Sequence, residues 1–106
     1  MAVPAAVLAD LVKRFSPTAA EGLNAVYQLQ LTGDGGDFWH LIIAEQQCQL
    51  VSGPADRPDV AITMNADDWS ELVAGRLDPL SAYIGGRLKI VGDLSLATRL
   101  AALFSL

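Results

Sequence analysis

Apolar positions in this chain recur first with a helical period, then with a period of two, then with a helical period again. Val3, Val7, Leu8, Leu11, Val12 and Phe15 fall at helical spacing, which predicts an amphipathic helix over about residues 4–15. Pro17 stops it, because a proline disfavours helical backbone at the residue before it. From Ala25 the period changes. Ala25, Tyr27, Leu29 and Leu31 alternate with Val26, Gln28 and Gln30, and Trp39, Leu41 and Ile43 alternate with Phe38, His40 and Ile42. These are two strands, and the "GDGGD" at 33–37 supplies the positive-φ residues of a hairpin turn. A second tight turn near Glu45 and Gln46 leads into a weaker third strand, "QCQLVSG", ending at Gly53. After the loop "GPADRP", the stretch "DVAITMN" at 59–65 sets Val60, Ile62 and Met64 against Ala61 and Thr63, a fourth strand.

The remaining pattern is strongly punctuated. Asn65 is placed to cap a helix whose first turn holds Asp67 and Asp68, where the helix dipole favours negative charge. Trp69, Leu72 and Val73 share one face of that helix, and Gly75 ends it. Asp78-Pro79 starts another, a cap followed by proline at the first helical position. Leu80, Tyr83 and Ile84 are its expected inward side, and Gly85-Gly86 stops it. "RLKIV" is a fifth strand with Leu88 and Ile90 opposite Arg87 and Lys89. Gly92-Asp93 turns the chain into a last helix from Leu94. On a helical wheel Leu96, Leu100, Leu103 and Phe104 span roughly 100°, with Ala97 and Ala101 widening the arc. The predicted order is α-β-β-β-β-α-α-β-α. The first three strands pair antiparallel, and the α–α excursion before strand five allows a crossover to a more distant position.

Length makes this a single domain over 1–106, with the amphipathic helix at 1–16 and the core at 22–106. A net charge of −5 argues against nucleic acid and anionic membrane surfaces, which call for basic patches. No run approaches the ~18 apolar residues of a membrane span, so stable membrane insertion is not expected. The N-terminus has no basic region ahead of its apolar part and so does not read as a signal peptide. One cysteine, Cys48, cannot form an internal bridge, which suits a reducing cytoplasm. A hydrophobic content of 52% and a mean hydropathy of +0.35 are high for a small domain, and point to apolar surface beyond a solid core.

Candidate chemistry is sparse. His40 and Cys48 are the only histidine and cysteine, but a turn centred on Glu45-Gln46 sets His40 opposite Val51 and Cys48 opposite Ile43. The two then point to opposite faces of the sheet and cannot activate one another. Asp67, Asp68 and Glu71 are helical neighbours, but a first-turn acid cluster is what capping requires, and no histidine or thiolate is near. The glycines of 33–36 lie between strands, whereas phosphate cradles pass from strand to helix. His40, Asp78 and Ser81 are the acid–base groups a small enzyme would have to use. No metal or cofactor is implied, and no catalytic residue is assigned.

The positive signal is apolar. A hollow between sheet and helices would account for it, and so would a face for a second chain. "DPLSAYIGGRLKIVGDLSLATRL" closely resembles the C-terminal half of the sterol carrier protein type 2 domain, the nonspecific lipid-transfer fold. Asp78-Pro79, Ala82-Tyr83, Gly86-Arg87-Leu88-Lys89-Ile90, Gly92-Asp93 and Leu96 to Leu100 carry the likeness. The upstream "GLNAVYQLQLTGDGGDFWHLII" and "PDVAITMNADDWSELVAGRLDP" look like the bacterial stand-alone branch, so the resemblance runs from about Gly22 to Phe104. It departs at the end, where Phe104-Ser105-Leu106 replaces the animal carrier's peroxisomal serine-lysine-leucine and no longer cover follows the last helix.

The resemblance implies an α+β fold: a five-stranded, largely antiparallel sheet with helices packed over one face, enclosing an apolar tunnel. It implies noncatalytic binding or transfer of a fatty acid, acyl chain, sterol or isoprenoid lipid. The candidate lining residues are Trp39, Leu41, Ile43, Trp69, Leu72, Tyr83, Ile84, Leu88, Ile90, Leu96, Leu100 and Phe104. Tyr83 or a tryptophan would supply a polar handle at the mouth. The alternative is an assembly module, acting as a homodimer or as an accessory to an enzyme of lipid or isoprenoid-quinone metabolism.

Overall fold

The computed structural model describes residues 4–33 and 36–104, with backbone alone for 4–7. The elements are α1 (Pro4–Lys13), β1 (Ala25–Thr32), β2 (Phe38–Ala44), β3 (Gln47–Ser52), β4 (Val60–Asn65), α2 (Ala66–Val73), α3 (Pro79–Ile84), β5 (Leu88–Gly92) and α4 (Leu94–Phe104). The five strands form one mixed sheet in the order β3-β2-β1-β4-β5. Every neighbouring pair is antiparallel except β1 and β4.

Strand periodicity sets which side chains meet the helices. On β1, β2 and β4, alternate residues are buried, among them Tyr27, Leu29, Leu41, Ile43, Val60 and Ile62. Buried residues of α1, α2 and α4 close over the same face, so Leu8, Leu11, Trp69, Leu72, Leu103 and Phe104 belong to one core with the strands. Near the chain ends this packing is tight. The Phe15 and Phe104 rings lie 5.7 Å apart, Ser16 N donates to the Leu103 carbonyl at 2.8 Å, and Arg14 Nη1 donates to the Val73 carbonyl at 2.7 Å.

The β2–β3 hairpin has the expected register, with Ile43 opposite Cys48 and His40 opposite Val51. Its turn residues Glu45 and Gln46 both take positive φ, the twist that a two-residue hairpin loop needs. In the β1–β2 turn, Gly33 has φ +88°, while Asp34 and Gly35 lie outside the described residues. The predicted caps form. Asn65 Oδ1 accepts from Asp67 N at 2.8 Å, and Asp78 Oδ2 accepts from Ser81 N at 2.9 Å with Pro79 following.

Three expectations change. Helix α1 ends at Lys13 rather than 15, because Arg14 and Phe15 close a tighter last turn onto Leu11 and Val12. The crossover is not at strand five: β5 lies beside β4, and the jump is made by residues 53–59, which carry the chain from the β3 edge to the far side of β1. That segment lies over the outer face, where Gly53 O meets His40 Nδ1 at 2.8 Å and Ala55 N donates to Gln28 Oε1 at 3.1 Å. Helix α3 does not turn Leu80, Tyr83 and Ile84 into the core. Only Ala82 is buried there, because nothing closes over the other side chains.

Candidate ligand-binding site

Helix α3 is short, and α4 leaves the sheet at a sharp turn. Gly92 makes that turn with φ +111°, and a Cβ there would stand 2.6 Å from the Asp59 carbonyl oxygen, so the close approach of β5's end to β4 excludes any side chain. Asp93 then caps α4, its Oδ1 accepting from Ser95 N at 2.9 Å and Ser95 Oγ at 2.6 Å. The Ser95 bonds hold the Asp93 carboxyl below the usual carboxylate range. Between α3 and α4, over the β4–β5 edge of the sheet, a cavity of about 360 Å³ remains.

Its floor is Ile62 of β4, Trp69 and Leu72 of α2, and Leu88 and Ile90 of β5. Pro79, Leu80 and Tyr83 form one wall; Leu94, Ala97, Thr98, Leu100 and Ala101 form the other. Exposure locates the mouth. Leu80 is 65%, Leu94 51% and Tyr83 43% exposed, whereas Trp69 is 1% and Ile62 3%. Three lining side chains carry a polar atom. The Thr98 hydroxyl is occupied within its own helix, donating to the Ser95 carbonyl at 2.8 Å. Tyr83 sits at the mouth. Trp69 Nε1 is buried and has no hydrogen-bond partner.

The sequence-derived candidates divide in two. Trp69, Leu72, Tyr83, Leu88, Ile90 and Leu100 come together around the cavity. Trp39, Leu41 and Ile43 instead fill the solid core on the same face, because β2 lies two strands away from β4 and β5. Phe104 packs on Phe15, Leu96 is partly buried against the core, and Ile84 projects to solvent at 76% exposure. Ile62, Pro79, Leu80, Leu94, Ala97, Thr98 and Ala101 were absent from the prediction. Ile62 was legible as an inward residue of β4, but that β4 borders β5 was not.

The other candidate chemistry disperses. His40 is on the outer face against the 53–58 loop, Cys48 is on the core face, and Asp78 and Ser81 are a helix cap. Among the described residues, no group of three or more His, Cys, Asp or Glu side chains could hold a metal ion. No helix of the described residues is long and apolar enough to cross a membrane. The cavity can shelter hydrocarbon; its lining offers no pair of groups for proton transfer.

The sequence profile of the SCP-2 sterol transfer family matches residues 8–105. The chain belongs to that family. Among curated proteins it is similar to mouse (Mus musculus) hydroxysteroid dehydrogenase-like protein 2, 35% identical over 91 residues, which are 85% of this chain and 19% of the relative. The chain thus spans about a fifth of the length of the curated relatives it matches. Among solved structures it resembles palmitated SCP2L2 from Aedes aegypti, with a TM-score of 0.71 and 23% identity over 92% of this chain and 90% of the other. It also resembles the UbiJ-SCP2 ubiquinone synthesis protein, with a TM-score of 0.75 and 20% identity over 97% and 93%. At these identities the likeness speaks for the fold. The SCP-2 fold here has its helical layer closed over β1, β2 and β4, with a gap left between α3 and α4 beside β5.

Proposed function

We propose that this SCP-2 chain binds an acyl chain, sterol or isoprenoid lipid in the α3–α4 cavity and carries it without transforming it. The single observation behind this reading is the half-enclosed cavity of about 360 Å³, lined almost entirely by carbon. That volume lies in the range of small-molecule sites, ~300–1,000 Å³. Burying a methylene is worth about 0.8 kcal/mol, so some twelve give roughly 10 kcal/mol gross. Association costs reduce that to about 8 kcal/mol, a micromolar affinity. No directional contact is needed for most of it, so several lipids would fit. A relative solved in a palmitated form is in keeping with an acyl ligand. The lone, half-buried thiol of Cys48 is in keeping with a cytoplasmic setting.

The test is native mass spectrometry and lipid extraction of freshly purified protein, with fatty acid titrated against tryptophan fluorescence. Co-purifying lipid or saturable quenching is the expected result. Absence of both sinks the carrier reading.

A second reading, an assembly or accessory module, is favoured by exposed apolar side chains outside the cavity lining. Ile84 on α3 is 76% exposed, and Val91, next to the inward Ile90 and so on the outer face of β5, is 73% exposed. If either surface meets a second copy or a lipid-enzyme partner, Ile84→Asp with Val91→Asp lowers the mass found by light scattering and leaves lipid affinity unchanged. If the chain is a carrier alone, the mass is that of a monomer before and after.

A further inference from the structure

The cavity mouth is apolar on its outside as well as its inside. Leu80, Ile84 and Leu94 are each more than half exposed, and Tyr83 stands among them. They form one patch: Leu80, Tyr83 and Leu94 share the cavity lining, and Ile84 follows Leu80 by one turn of α3. A contiguous exposed apolar patch marks a contact surface. Charge narrows what it contacts. No residue between Asp78 and Arg87, or between Asp93 and Arg99, is charged. Of the flanking charges, Asp78 and Asp93 are acidic caps on α3 and α4. Arg87 pairs with Asp68, and Arg99 Nη2 donates to the Ala19 carbonyl at 3.4 Å. Lys89 lies on the outer face of β5, opposite Thr63.

We propose that this patch docks the cavity mouth reversibly on a membrane surface of no net charge, a phosphatidylcholine bilayer, so that lipid passes between bilayer and cavity without crossing water. The passage of lipid rests on the proposed cavity site; the docking itself rests on the patch. A bilayer is the occupant that the size of the patch suits. A stable protein interface engages ~20–30 residues a side, whereas four side chains around a helix of six residues make up this patch. A bilayer sets no such minimum, and a few apolar side chains with a tyrosine at headgroup level suffice for weak attachment. Anionic lipid would add attraction only through free basic residues at the mouth. The acidic caps there oppose it instead.

The test floats the full chain with vesicles of pure phosphatidylcholine, and with vesicles of equal parts phosphatidylcholine and phosphatidylserine, at low and high salt. Binding to the uncharged vesicles should be insensitive to salt and at least as strong as binding to the anionic ones. Ile84→Asp should weaken that binding about tenfold and slow transfer of a fluorescent fatty acid between vesicles to match. Its affinity for the same fatty acid in vesicle-free solution should equal that of the wild type, since Ile84 does not line the cavity. Val91→Asp, a comparably exposed change on the outer face of β5, should leave docking as it was. Ile84→Trp should strengthen it. A preference for anionic vesicles that high salt abolishes, or equal docking by wild type and Ile84→Asp, overturns the proposal. A lower mass for Ile84→Asp by light scattering also overturns it, by making the patch a protein interface. Absent docking with fatty acid still bound in solution overturns it and leaves the cavity site standing. Docking without any fatty acid bound overturns the cavity site and leaves the membrane surface standing.

Discussion

The Tyr27 hydroxyl donates to the Leu96 carbonyl oxygen at 2.7 Å, across the core from the middle of β1 to the first turns of α4. Tyr27 itself is fully buried. The bond holds the N-terminal half of α4 over the centre of the sheet while its C-terminal end is held by Leu103 and Phe104. Contacts at both ends oppose a shift of α4 onto β5, into the space beside α3.

Tyr27→Phe removes that tie without changing the ring. The expected loss is about 1 kcal/mol, the usual net worth of one intramolecular hydrogen bond, and a fall in Tm of roughly 4–8 °C. Bound lipid should also leave faster, since α4 forms one wall of the cavity. Thermal melting and stopped-flow lipid release check the two effects separately.

Alkaline pH acts on the same group. Burial pushes the Tyr27 phenol up to about 12, with Asp93 and Asp59 adding to the rise and Arg99 opposing it. The unfolded phenol titrates near ~10, so the unfolded chain gives up this proton first as pH rises. Stability from the neutral Tyr27 is full below about pH 10 and declines from there through about pH 12. Denaturant unfolding at a series of pH values should show this downward slope in the wild type. In Tyr27→Phe the slope should be shallower.

Much of this architecture was legible in the sequence, and the parts that were not share a physical cause. Period-two alternation located β1, β2, β4 and β5, the turn at Glu45-Gln46 located β3, and cap residues such as Asn65 and Asp78 located helix starts, because these signals are local. Strand order is not local. The 53–58 loop reads as a turn, and nothing in it announces that it takes β4 past β2 to a parallel place beside β1. The cavity depends on that order. Trp39 and Trp69 are alike in sequence, large aromatics on inward faces, but α2 borders the gap and β2 does not. Leu80 and Leu94 look like core residues and are not, since the helix that would bury each stops short of the other.

Cys48 should be a slow nucleophile. Its thiol faces the core side of β3 opposite Ile43, and burial pushes it up to about 11 from an ordinary 9.0. A rise of that size reduces the thiolate present at neutral pH about a hundredfold. Iodoacetamide should therefore label the native protein far more slowly than a free thiol, and label it rapidly in denaturant. A mass-spectrometric time course measures this directly, and equal rates in the two states would place Cys48 outside the packed layer.

The cavity should be separable from the fold that surrounds it. Ala97 is partly buried on α4, lines the cavity, and is small. Ala97→Phe puts a ring into space that the helices and sheet leave unfilled, so it need not displace core atoms. Filling a void commonly stabilises by ~0.5–2 kcal/mol, so the Tm should hold or rise. Lipid affinity should fall at least tenfold, because the ring occupies volume the ligand requires. Leu100→Ala works in the opposite sense: it enlarges the cavity and should cost about 2–5 kcal/mol through lost packing. Melting curves and lipid titrations on both variants separate the two effects. If Ala97→Phe left lipid affinity intact, the ligand would have to sit elsewhere on the molecule, and the α3–α4 gap would be an unfilled packing fault rather than a site.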